Sequence, residues 1–137
     1  YNDYYKFTIV RNPWARAYSW YKNVMRDDIH RNSYGIANEI SFARFIKNFT
    51  GIGLLKPQMY WIKDFNGNVP LDYIARFENL TEDMQFVFEQ LNLNKTSLPH
   101  KLKGGEDDYR VHYTSESIEI IRLYYEEEIK LFDYSFE

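Results

Sequence analysis

Phe7-Thr8-Ile9-Val10-Arg11-Asn12-Pro13-Trp14-Ala15-Arg16-Ala17-Tyr18-Ser19-Trp20-Tyr21 changes character at its middle. It opens as a short apolar run with a β-branched centre, the composition of a buried strand. Arg-Asn-Pro then turns it into a helical pattern. Asn12 can accept a backbone N–H as an N-cap, and Pro13 fits the first helical position, where no amide donor is needed. Arg11 therefore sits at the carboxyl end of a strand, beside the amide-rich N-terminus of a helix, a position suited to a phosphate. With Trp14 at zero and about 100° per residue, Tyr18, Tyr21 and Met25 fall within about 40° of it. They form a core-facing stripe on a helix over residues 13–26. Asn12, Arg16, Ser19 and Asn23 gather on the opposite side, so Arg11 can share a site with Ser19. An ordinary solvated face opposite an ordinary core face has the same periodicity.

Downstream, residues 27–40 are polar, include Gly35 and show no clean period, which predicts a loop. Its His30 has no carboxylate or second histidine spaced to make it a ligand or base. Ser41 caps a short helix carrying Phe42, Phe45, Ile46 and Phe49 at i, i+3, i+4, i+7. Residues 50–57 read as a loop. Gly51-Ile52-Gly53 lacks the preceding strand, the third glycine and the Gly-Lys-Ser/Thr of a phosphate cradle. Residues 58–65 suit a helix that stops at the Asn66-Gly67-Asn68 turn. Residues 71–77 read as a second strand, and Asn79 with Glu82 as a capping box for a helix presenting Leu80, Met84, Val87, Phe88 and Leu91. Strand, turn and helix thus occur twice, which favours an α/β fold with a parallel sheet and flanking helices. Residues 92–112 form a long polar loop, and Thr114 or Ser115 caps a last helix bearing Ile118, Ile121, Tyr125 and Ile129. Phe132, Tyr134 and Phe136 end the chain as an aromatic tail.

The 137 residues suit one domain with a real core, and 19% aromatic with 27% charged residues is a globular composition. No apolar run reaches the roughly 20 residues of a membrane helix. The chain opens on Tyr1 with no initiator methionine and reads as an excerpt, incomplete at its N-terminus. With no cysteine, disulfides, thiolate metal sites and cysteine nucleophiles are excluded. That tilts the reading toward a bacterial cytoplasmic protein over a Golgi-luminal one. The sequons at Asn48, Asn79 and Asn94 matter only in a secretory compartment. A net charge of −3 argues against a nucleic-acid partner. The charge is uneven: 11 Lys+Arg face 6 Asp+Glu through Arg76, whereas 6 face 14 from Phe77 onward. The half containing Arg11 is the basic one. The acidic half reads as a solvated helix face.

Strand-Arg-Asn-Pro-helix with a serine eight residues after the arginine resembles the 3′-phosphate-binding segment of sulfotransferases that use 3′-phosphoadenosine 5′-phosphosulfate. The carbohydrate O-sulfotransferases are the most similar branch. Asp72-Tyr73-Ile74-Ala75-Arg76-Phe77-Glu78-Asn79-Leu80-Thr81-Glu82-Asp83 resembles that family's strand-to-helix segment. Residues 113–125 with Leu131-Phe132-Asp133-Tyr134-Ser135-Phe136 resemble its C-terminal helix and tail, and Pro57-Gln58 also matches. The resemblance implies a P-loop-NTPase-like sulfotransferase fold and a role for Arg11 and Ser19 in binding the donor's 3′-phosphate. A guanidinium fork and a neutral hydroxyl fit that task. Lys101, Lys103, Gly104, Gly105 and Arg110 lie where related enzymes bring a basic loop over the nucleotide, and a flexible surface loop is the competing reading. Ala15 stands where the family often has an acidic residue, and Asp133-Tyr134 replaces its usual Gly-Tyr.

The family's 5′-phosphosulfate loop and its acceptor base precede the opening stretch, so the resemblance places the catalytic base upstream of Tyr1. It implies sulfuryl transfer to a carbohydrate hydroxyl, with no metal. The alternatives are another small-molecule sulfotransferase, a kinase-like transferase on the same fold, or a non-catalytic carbohydrate-binding or interaction module that keeps the fold. Tyr60 and Trp61 are candidates for stacking on a sugar. The sequence carries no signal for oligomeric state.

Overall fold

The computed structural model describes residues 3–94 and 108–137. The described chain falls into two compact units, residues 3–11 with 58–94 and residues 12–57 with 108–137.

The first unit is built on a parallel pair of strands, β1 (Phe7–Val10) and β2 (Tyr73–Arg76), in register from Phe7 opposite Tyr73 to Val10 opposite Arg76. Repetition of strand, turn and helix predicted parallel pairing, and the pairing is parallel. A short helix α4 (Met59–Ile62) buries Met59 and Ile62. It ends at Ile62, sooner than the expected residue 65, and Asp64 closes the following turn by accepting from the Asn66 and Asn68 amides. Helix α5 (Leu80–Gln90) packs on β2 and buries Met84 and Val87. The expected Asn79–Glu82 capping box does not form. A 3-10 turn over Phe77–Asn79 leads into α5 instead and leaves Asn79 at φ −121°, ψ 33°, outside the extended geometry an N-cap uses. Asp83 does the fastening, accepting the Arg76 amide just as β2 ends.

The second unit is helical: α1 (Pro13–Arg26), α2 (Asp28–Ser33), α3 (Phe42–Phe49), α6 (Ser115–Tyr124) and α7 (Glu126–Leu131). Its core gathers Trp14, Ala17, Tyr18, Val24, Phe42, Phe45, Ile46, Leu55, Ile121 and Tyr125. The expected stripe on α1 is the buried one, with Tyr21 and Met25 partly buried against that core. Ser41 caps α3 through the Arg44 amide, and Thr114 forms a reciprocal capping box with Ser117 at the start of α6. The expected loop over residues 27–40 contains a helix, α2. Asp27 caps it, and Arg31 is buried on it, bonded to Asp28, the Asn38 side chain and the Met25 carbonyl. Polar contacts hold this helix, so it left no apolar period in the sequence. No described helix is long and apolar enough to cross a membrane.

Candidate functional site

Arg11 follows β1 directly, and its backbone is held at two points. Its N–H donates to Gln58 Oε1 at 2.8 Å, and its carbonyl accepts from Gln58 Nε2 at 2.9 Å. Gln58 is itself buried. At the other end of the side chain, the Arg11 guanidinium carbon lies 4.3 Å from the centroid of the Phe77 ring. Register explains the meeting. Val10 pairs with Arg76, and Arg11 and Phe77 are the residues that follow them at the same ends of the two strands. Phe77 falls within residues 71–77, which the sequence reads as a strand, but it lies just past the strand's end.

In the second unit, Asn12 performs the predicted cap. Its Oδ1 accepts from the Trp14 amide at 3.0 Å and the Ala15 amide at 3.3 Å, and its carbonyl accepts from the Arg16 amide at 2.9 Å. Pro13 has no N–H to offer. The first turn of α1 has therefore committed its amides, which corrects the expectation of an amide-rich helix end beside Arg11. A phosphate near this helix would meet its dipole and nearby side chains. Asn12 Nδ2 donates to the Ser135 carbonyl at 2.7 Å, fixing the C-terminal tail to the start of α1. Trp14 meets Phe136 edge-on with centroids 5.8 Å apart.

Ser19 is half-buried, two turns into α1. Arg16 and Asn23, on the same side, are half-buried as well, so this face is not the open solvated surface the periodicity allowed. Arg16 has a different task from Ser19. Its guanidinium donates to the carbonyls of Leu54 and Lys56, and Tyr125 donates its hydroxyl to the Leu55 carbonyl. Burial lowers the pKa of Arg16, an effect opposed by Tyr125 and then by the fully buried Glu128. Burial likewise pushes the Tyr125 phenol up, keeping it a neutral donor. The Gly51–Leu55 turn is closed by a bond from the Gly51 amide to the Leu55 carbonyl.

Arg110 lies on a 3-10 turn (Tyr109–His112), is exposed, and pairs with Asp108 at 2.7 Å. That hydrogen bond raises the arginine's pKa and lowers the aspartate's. Lys101, Lys103, Gly104 and Gly105 lie outside the described residues. Among the described residues, no group of three or more histidine and carboxylate side chains could hold a metal. Gln58 and Phe77 are neighbours of Arg11 to which the sequence assigned no task at a phosphate site. For Phe77 a signal existed: it follows its strand as Arg11 follows the other.

Over residues 1–135 the chain matches the family model described as Sulfotransferase family. An uncharacterized protein of Archaeoglobus fulgidus is 29% identical over 110 residues, which cover 80% of this chain and 86% of that protein. No solved structure matches the chain significantly.

Proposed function

Because the chain belongs to the sulfotransferase family, we propose that it serves sulfuryl transfer from 3′-phosphoadenosine 5′-phosphosulfate to a carbohydrate hydroxyl, on a P-loop-NTPase-like architecture. Arg11 and Ser19 bind the donor through its 3′-phosphate. In the transfer, the bond from sulfur to the donor's phosphate oxygen breaks as one to the acceptor oxygen forms, and the hydroxyl proton leaves to a base. Neither Arg11 nor Ser19 is that base. An arginine stays protonated throughout, and the serine hydroxyl serves here as a hydrogen-bond partner. Their contribution is orientation and charge, which in-line transfer uses heavily. The edge-to-face pair Tyr60 and Trp61, centroids 4.8 Å apart and both exposed on α4, offers rings on which a sugar can stack.

The observation that carries the reading is Arg11, fixed at a strand's carboxyl end by its backbone and set over an aromatic ring. The test is equilibrium binding of adenosine 3′,5′-bisphosphate and of 5′-AMP to the intact protein and to Arg11→Ala. Wild type is expected to prefer the bisphosphate. Arg11→Ala loses roughly 10- to 100-fold of that affinity, the scale of a charge-assisted hydrogen bond, with little change for 5′-AMP. Equal wild-type affinity for the two nucleotides sinks the 3′-phosphate assignment. Loss of the far-ultraviolet circular dichroism in Arg11→Ala would mean the arginine holds the fold instead.

A further inference from the structure

We infer that Phe77 and Gln58 are positioning residues for Arg11, which aim its guanidinium before a nucleotide arrives; the inference rests on the 3′-phosphate reading above. The two act at opposite ends of one side chain. Gln58 presents one carbonyl and one amino group to the single N–H and C=O of Arg11, at 2.8 and 2.9 Å, and so fixes the Cα from which the side chain departs. Phe77 lies beneath the guanidinium at 4.3 Å. The ring's electron-rich face attracts the cation and holds it over the ring.

Neither contact depends on chance placement. The parallel register carries Arg11 and Phe77 to adjacent positions past the last paired residues, and the bond from the Arg76 amide to Asp83 fixes where β2 stops. An arginine otherwise samples many rotamers, and restricting it before binding lowers the entropy lost when the phosphate is gripped. Phe77 is 46% exposed, so its ring serves as a platform and is not core filling. The ring itself touches no reacting atom in this reading; it acts through Arg11.

The experiment compares binding of adenosine 3′,5′-bisphosphate and 5′-AMP by wild type, Phe77→Leu and Phe77→Tyr in the intact protein. Phe77→Leu is expected to weaken the bisphosphate roughly three- to tenfold, leaving 5′-AMP unchanged, so that the ratio of the two constants falls. Phe77→Tyr keeps an aromatic face and stays within about twofold of wild type. An unchanged ratio in Phe77→Leu overturns the inference. So does an equal loss for both nucleotides, which marks a merely structural residue. A wild-type protein that shows no preference for the bisphosphate removes the 3′-phosphate reading and the positioning role together.

Discussion

Replacing Asn12 with alanine removes two separable contributions. The first is the cap: Oδ1 no longer accepts the Trp14 and Ala15 amides. Losing a side-chain N-cap costs about 1 kcal/mol. The second is the strap: Nδ2 no longer donates to the Ser135 carbonyl at 2.7 Å. A part-buried carbonyl left without its donor costs about 1–2 kcal/mol. Together these give about 2–3 kcal/mol, a large fraction of the roughly 5–15 kcal/mol that holds a typical protein folded. At an unfolding entropy of about 2.1 cal/mol/K per residue, a chain of 137 residues has ~0.3 kcal/mol/K, so Tm falls by about 7–10 °C. Asn12→Ser separates the parts. Serine caps nearly as well as asparagine but lacks the amino group, so it recovers about 1 kcal/mol and about half the lost Tm. Differential scanning calorimetry of wild type, Asn12→Ala and Asn12→Ser reads all three. If the alanine and serine variants melt together, or alanine lies within about 1 °C of wild type, the double role is refuted.

Two further outcomes follow from the backbone and from titration. Gly51 has φ +81°, and a methyl there would overlap the Tyr124 hydroxyl, so Gly51→Ala is expected to lower stability by about 1–2 kcal/mol in urea unfolding. Adding Tyr124→Ala relieves the overlap but leaves the left-handed backbone penalty, so it restores only part. Asp27, the cap of α2, has its pKa lowered chiefly by the His30 amide, so its charged form favours the folded state. Its contribution is complete above the ordinary value of 3.8 and disappears as pH falls through the lowered one. Thermal melts of wild type and Asp27→Asn are expected to differ at neutral pH and to draw together as pH falls below 3.8, whereas a constant difference contradicts the linkage.

Where local chemistry decides structure, the sequence was readable. Asn12 and Pro13 mark the start of α1, Ser41 that of α3, and Thr114, one of two candidates, that of α6, because each start is written in side chains within a few residues. Helix α2 escaped because it is held by a buried arginine and an aspartate cap instead of an apolar stripe. The Asn79 box failed because the chain enters α5 through a 3-10 turn, a backbone choice that composition does not reveal. At the candidate site, the place of Arg11 after a strand was legible. Its partners were not, since Gln58 is 47 residues away and Phe77 meets it only through strand register. The supply of amides at the start of α1 was misjudged for a related reason. A good cap and a vacant anion site compete for the same N–H groups, and Asn12 takes them.

The strap from Asn12 to Ser135 joins residues 123 positions apart. On a ribosome, that distance is time. Helix α1 is synthesised well before Phe136, the ring that meets Trp14 in its first turn. Closing so long a loop is entropically slow, and contacts of this kind form late in folding. During elongation the first turn of α1 therefore waits for Phe136 to cover Trp14, and an aromatic surface of this kind is one a chaperone can hold.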